Sequence, residues 1–245
     1  MLIVGTMWAR GEGSTLKRKN ARKICGKPMI FWALQNALDA GFIDEIFVFT
    51  EDPELANITR DLGCHVIDRP KEMIFYNGGF SNPMEWDHYF KKQMSTLIQT
   101  PPDISVGLNC NICLLKSESL RQMYIRLMED ELAEVIFPVV RTEPHLYMEN
   151  PQTGYLFPIW EDPGLDRQKF PKLYRKIGVT ISHNRRSANH AYHRNLHHEV
   201  SFEESFDIHS EQDLKLAEFF LSQRLYSSKN VSHIDPKRIH HHSHS

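Results

Sequence analysis

The sequence has no apolar run near the roughly 18 residues that a bilayer span needs, which argues against a membrane protein. It also lacks a basic leader followed by a small-residue cleavage site. Residues 1–8 are apolar and read as a first strand, so the cytoplasm is the expected compartment. Cysteine is scarce: Cys25, Cys64, Cys110 and Cys113 are too few and too scattered over 245 residues for a disulfide framework. Cys110 and Cys113 form a C-x-x-C, but no second pair and no neighbouring His pair completes a zinc set, so they read as buried thiols at a strand end. Charge of one sign is missing as well. The formal net charge is −2, which leaves no electrostatic footprint for nucleic acid. Neither G-x-G-x-x-G nor a Walker pattern occurs. With 41% hydrophobic and 24% charged residues, the chain has the make-up of a soluble globular protein that handles small molecules.

What is present is an alternation of β-rich runs with helical patterns, the sign of βαβ units and a mostly parallel sheet. The spacing predicts strands over 2–9, 45–50, 64–68, 103–108 and 134–140, and helices over 28–40, 51–62, 84–98 and 117–129. Gly41 and Gly63 stand as helix stops. Residues 143–177, rich in Pro, Tyr and charge, read as an inserted arm, and 178–182 as a return to the sheet. A last helix is predicted over 210–225, where Ser210 and Asp213 make an S-x-x-D capping pattern before an apolar stripe. One domain over 1–227 is expected, followed by a polar, disordered tail over 228–245.

The first strand runs into Ala9–Asn20, where two glycines, two hydroxyls and four cations crowd one loop. Such a loop suits a triphosphate: glycines let backbone N–H groups approach phosphate oxygens, and Arg and Lys neutralise charge at the carboxyl edge of the sheet. By composition alone a solvated basic turn remains equally open.

Read in order, Ala9-Arg10-Gly11, Arg18-Lys19-Asn20 and Gly26-Lys27-Pro28-Met29-Ile30 resemble the opening signature of the CMP-sialate and CMP-Kdo synthetase family of cytidylyltransferases. Further landmarks follow: residues 47–52 after strand two, Arg69-Pro70 after strand three, Arg167-Gln168 with Pro171 and Tyr174, and Phe206–His209 with Asp213-Leu214. The resemblance spans residues 1 to about 225. It implies a three-layer, Rossmann-like α/β fold of the nucleotide-diphospho-sugar transferase type with a small dimerisation arm. It also implies CTP as substrate, a divalent cation (Mg²⁺ or Mn²⁺), a homodimer, and transfer of CMP to the anomeric hydroxyl of an acidic keto-sugar with release of pyrophosphate. By that similarity Arg10, Gly11, Gly13, Ser14 and Lys19 hold the triphosphate, and Asn20 and Arg69 lie near the cytidine. Asn109 orients nucleotide or sugar, while Arg167, Gln168 and Tyr174 meet the sugar, Arg167 as partner for its carboxylate. The catalytic set is Arg10, Lys19 and Asp207.

The chain departs from the family at three places. Gly13-Ser14-Thr15 lacks a phosphate-touching lysine, for which Lys17 or Arg18 is the candidate substitute. Asn109–Leu115 replaces a hydroxyl-bearing run that ends in Arg, which points to an acceptor other than ordinary sialic acid. Asp207-Ile208-His209 replaces a D-x-D metal pair; in extended backbone both outer residues share a face, so Asp207 and His209 are the expected metal ligands. The alternative is that His209 merely precedes the helix cap, and Asp213 reads as a cap residue rather than a ligand. The histidine-rich 183–198 is expected to be a surface connection lining the sugar pocket, and Trp8, Trp32, Trp86 and Trp160 to be packing residues. Two rivals stand beside CMP transfer to a sugar acid: the same chemistry on a non-sugar acid, and a catalytically impaired homologue that binds nucleotide or a partner.

Overall fold

The computed structural model describes residues 1–12, 16–70, 83–143, 145–159, 171–184 and 194–231. Its centre is a sheet built from β1 (Ile3–Trp8), β4 (Glu45–Thr50), β5 (His65–Asp68), β6 (Ile104–Leu108), β7 (Val135–Thr142), β10 (Leu173–Lys176), β11 (Thr180–His183) and β12 (Asn195–Glu199). β1 pairs in parallel with β4 on one side and β6 on the other, and β4 continues in parallel to β5. Beyond β6 the pairing mixes: β11 is antiparallel to both β6 and β7, while β12 is parallel to β7.

Period-two alternation explains the three layers. Ile46 and Val48 of β4 join one buried cluster, with α1 (Met29–Asp39) and α4 (Ser117–Glu129). Phe47 and Phe49, pointing the other way, join Val4 and Ile67 in a second cluster closed by Phe90 and Met94 of α3 (Pro83–Met94). Residues fully buried on both faces are the mark of a central parallel strand. Each such side chain stabilises the fold by about 1.5–3 kcal/mol. α2 (Pro53–Asp61) follows β4; it starts on an Asp52 cap and is followed by Gly63 at φ +77°. Gly41, at φ +74°, follows α1 in the same way.

The expected strands and helices of the first half are all present within a few residues. Elsewhere the structure differs from the expectation at several points. β10, at the end of the expected arm, belongs to the main sheet, antiparallel to β7. Within the arm only a hairpin stands apart, β8 (Tyr147–Glu149) with β9 (Leu156–Pro158). The histidine-rich stretch is not simply a connection: His183 closes β11, and His197 and His198 lie in β12, so the sheet claims its ends. His190 and His193 lie outside the described residues. Cys110, expected at a strand end, opens a 3₁₀ turn over Cys110–Ile112 instead. Finally, α5 (Glu211–Val231) runs past the expected boundary at 227, and the rest of the expected tail is outside the described residues. A small hairpin also went unread, β2 (Lys23–Ile24) with β3 (Lys27–Pro28), turning through Cys25 and Gly26 at positive φ.

Trp32 packs as expected, its indole N–H donating to the Ile24 carbonyl at 2.8 Å, and Trp8 meets Phe49 edge-on with centroids 4.7 Å apart. The side chains of Trp86 and Trp160 are outside the described set. Among the described residues no helix is long and apolar enough to cross a membrane.

Candidate active site

The site forms where β1, β4 and β6 end, the carboxyl edge at which open α/β sheets hold ligands. After β1 the chain stays on the ladder through Ala9, whose N–H donates to the Phe49 carbonyl at 3.0 Å. It then meets the end of β4. The Gly11 N–H donates to Glu51 Oε1 at 2.9 Å, and the Asp52 side chain lies so close over Gly11 that a Cβ there would sit 2.5 Å from its Oδ2. Glycine is therefore required by contact at this position. Asp52 is fixed from its other side: Oδ1 accepts the Glu54 and Leu55 N–H groups, both at 3.0 Å. Burial works against the charge of Asp52, but the Leu55 N–H, Arg18 and the Glu54 N–H together hold its carboxyl below the usual range.

Arg18 is thus accounted for. It enters the Lys19–Ala21 3₁₀ turn in the left-handed conformation (φ 49°) and lies 2.9 Å from Asp52 and 2.6 Å from Glu54. Its guanidinium serves the α2 N-terminus, which corrects the expectation that it replaces a phosphate-touching lysine. Lys17 is exposed. Asn20, 7% exposed, donates from Nδ2 to the Arg10 carbonyl at 2.9 Å and so holds the two ends of the loop together. Gly13 and Ser14, expected at the triphosphate, lie outside the described residues.

The structure brings Arg10, Lys19 and Asp207 into one electrostatic group. Burial lowers the Lys19 ammonium pKa, Asp207 pulls it back up, and Arg10 pushes it down again. Arg69 belongs to the same neighbourhood. Burial lowers its pKa, Glu51 opposes this, and Arg10 adds to it. Its Nη1 lies 3.7 Å from Glu51 Oε2, a buried oxygen with no hydrogen-bond partner. Glu51 had no assigned role in the sequence. One carboxylate therefore touches the loop backbone and faces Arg69. Its place at the end of the strand next to β1, where α/β nucleotide sites set an acid, was the available signal.

On the far side, Asp207 and His209 flank Ile208, which is fully buried and donates its N–H to the Asn111 carbonyl at 3.2 Å. That anchor turns the flanking side chains outward together, with His209 Nε2 2.8 Å from Asp207 Oδ1. The contact has no hydrogen-bond geometry, and Oδ1 is buried without any other partner. Asp213 is a cap. Its Oδ2 accepts the His209 N–H at 2.9 Å and the Ser210 N–H at 2.8 Å, while Ser210 Oγ accepts the Asp213 N–H at 3.2 Å. The segment before Asp207 is clamped: Glu204 accepts from the Lys116 N–H, Ser119 and Ser201, and Arg175 donates to the Ser205 carbonyl at 3.2 Å.

Asn109 opens the 3₁₀ turn that follows β6. Its Oδ1 accepts the Asn111 N–H at 2.9 Å, capping the turn, and its Nδ2 lies where a side chain on Gly178 would be, 2.9 Å from a Cβ built there. Asn109 also lines a small pocket with Ala33, Asn36 and Val179. Cys110 and Cys113 are buried free thiols, each pushed up to about 12 by burial, which makes them inert packing groups. Tyr174 lies on β10 with its ring 5.0 Å from His197. Arg167 and Gln168 are outside the described residues.

A family model described as cytidylyltransferase matches residues 5–74, which hold the Gly11 loop, the Lys19 turn, Glu51 and Arg69. The resemblance to the cytidylyltransferases is borne out. This cytidylyltransferase-like chain is 24% identical over 239 residues to post-translational flagellin modification protein B of Campylobacter coli, covering 93% of this chain and 98% of that one. It is 24% identical over 197 residues to 3-deoxy-manno-octulosonate cytidylyltransferase of a Psychrobacter species, covering 70% and 68%. A shorter match, 36% over 56 residues, is to pseudaminic acid cytidylyltransferase of Campylobacter jejuni, covering 23% and 24%. Among solved structures, CMP:2-keto-3-deoxy-manno-octonic acid synthetase complexed with CTP superimposes with a TM-score of 0.63 at 15% identity, over 91% of this chain and all of that one. The 4-diphosphocytidyl-2C-methyl-D-erythritol synthase of Anaerococcus prevotii gives 0.60 at 10% identity, over 90% and 98%. The α/β nucleotidyltransferase fold is common to all three.

Proposed function

We propose that the chain transfers CMP from CTP to the anomeric hydroxyl of an acidic keto-sugar of the nonulosonate or Kdo kind, releasing pyrophosphate. What supports this reading is that Arg10, Lys19 and Asp207 lie within electrostatic reach of one another beside a loop whose Gly11 is packed against Asp52 at the carboxyl edge of the sheet. Two relatives bear the names of cytidylyltransferases for such acids.

In this reading Arg10 and Lys19 steady the triphosphate and then the departing pyrophosphate. Lys19, partly desolvated, interacts strongly with an incoming anion because water screens it little. Asn20 and Arg69 lie at the nucleoside end, where an amide and a guanidinium distinguish donor from acceptor patterns. Gly13 and Ser14 complete the phosphate loop, and Arg167, Gln168 and Tyr174 meet the acid. A divalent cation fits the Asp207–His209 pair: an orphaned carboxylate oxygen and an imidazole nitrogen 2.8 Å apart are spaced like neighbouring ligands around one ion. Asp207 and His209 would hold the cation, which would supply Lewis-acid charge stabilisation for the transfer. The chain works as a homodimer through the β8–β9 hairpin, whose Tyr155 and Leu156 are 78% and 64% exposed. It acts in the cytoplasm, alongside its nucleotide substrate.

The test is Asp207→Ala, assayed for pyrophosphate release from CTP across a panel of keto-sugar acids. Turnover should vanish while circular dichroism and melting stay near wild type; wild-type rates would remove Asp207 from the mechanism. The second reading, a nucleotide-binding homologue without turnover, draws support from Asn109, whose Oδ1 is held by its own turn. Calorimetric CTP binding without pyrophosphate release on any acid would favour it.

A further inference from the structure

The cation pocket holds one carboxylate and one imidazole, and this composition carries a consequence for the ion it takes. Asp213, the nearest candidate for a second carboxylate, has Oδ2 committed to the His209 and Ser210 N–H groups. Among the described residues no group of three or more His, Cys, Asp or Glu side chains could hold a metal together. Among the described residues the protein thus offers this pocket one carboxylate and one imidazole. Lys19 lies in the field of Asp207, so its ammonium further weakens the pull on a small, strongly hydrated ion. Mg²⁺ keeps its water and seeks oxygen, whereas imidazole raises affinity for the later divalent ions.

His209 is 54% exposed and Asp207 36%, so an ion can reach the pair from solvent. The ring nitrogen and Asp207 Oδ1 are close without hydrogen-bond geometry, an arrangement that a shared ion satisfies and a proton does not. The buried Ile208, tied to Asn111, keeps both side chains on one face. We propose that His209 is a selectivity residue which sets this site for imidazole-accepting divalent ions of the Co²⁺ and Zn²⁺ class ahead of Mg²⁺. This deepens, and rests on, the CMP-transfer reading.

The test compares the full chain with His209→Asp, with CTP present and no acceptor. Calorimetry gives the Zn²⁺ to Mg²⁺ and Co²⁺ to Mg²⁺ affinity ratios; comparing the two proteins cancels each ion's own affinity for the triphosphate. Both ratios should fall in His209→Asp. In wild type, Zn²⁺ should shift the ring nitrogen signal of one histidine, namely the signal missing from the variant's spectrum. Equal ratios in the two proteins overturn the proposal, as does an unshifted His209 ring signal while Zn²⁺ is bound. The two readings fail separately: if no acid yields pyrophosphate but the ratios shift, CMP transfer falls and the selectivity stands. If turnover is normal and the ratios do not move, only the selectivity falls.

Discussion

Gly11→Ala tests the tightest contact in the loop. A methyl at this position would lie 2.5, 2.8 and 3.0 Å from Asp52 Oδ2, Cβ and Cγ, so Asp52 must move. Moving it loosens the cap on α2 and the Arg18 contact at 2.9 Å. Overpacking costs about 1–3 kcal/mol, and a lost Asp cap about 0.5–2 kcal/mol. Together they predict a loss of about 2–4 kcal/mol, or roughly 5–15 °C in melting temperature for a chain of this size. The assay is a double-mutant cycle by urea unfolding, with Asp52→Gly as the second change, because alanine would keep the Cβ that lies 2.8 Å from the new methyl. Asp52→Gly alone removes the side-chain cap; in that background Ala at position 11 has room, and its further cost should be near zero. Additive losses in the double variant would refute the contact argument, and a Gly11→Ala loss under about 0.5 kcal/mol would refute the packing itself.

Asp213→Ala should lower stability by about 1 kcal/mol through its capping box and leave cation affinity unchanged, measured by denaturation and calorimetry side by side. Glu204 carries a pH dependence. Burial opposes its charge, but Ser119, the Lys116 N–H and charge, and Ser201 hold its carboxyl below the ordinary value. Its contribution is complete above the unfolded value of about 4.3 and is lost as pH falls through the lower folded value, so Glu204→Gln should flatten the acid limb of the stability curve and be less stable at neutral pH. Leu156→Lys, on the exposed hairpin, should convert a dimer into monomer in sedimentation without lowering the monomer's stability.

Much of the fold was legible because its strands are short, apolar and separated by punctuated helices. Glu45–Thr50 and Ser117–Glu129 fall on the expected bounds, and the Ser210–Asp213 pattern forms a reciprocal cap. The sheet beyond β6 was harder to read. β12 spells Asn-Leu-His-His-Glu, with Leu196 its one aliphatic residue, and takes its strand form from pairing with β7, a tertiary cause that local pattern does not reveal. At the site, spacing placed Asp207 and His209 on one face because a two-residue period needs only extended backbone. Arg18 was read as a phosphate ligand because its type and position suggested one, while its partners, Asp52 and Glu54, come from the neighbouring helix start. Glu51 carried its signal in its topological place, in a segment recognised only for resemblance.

The hydrogen bond from the Ile208 N–H to the Asn111 carbonyl joins two stretches that are nearly a hundred positions apart along the chain. The two stretches at which the sequence departs from the family pattern are thus bolted into one part. Anyone grafting either onto another scaffold would have to transplant both as a single block, because exchanging one alone would tilt the other.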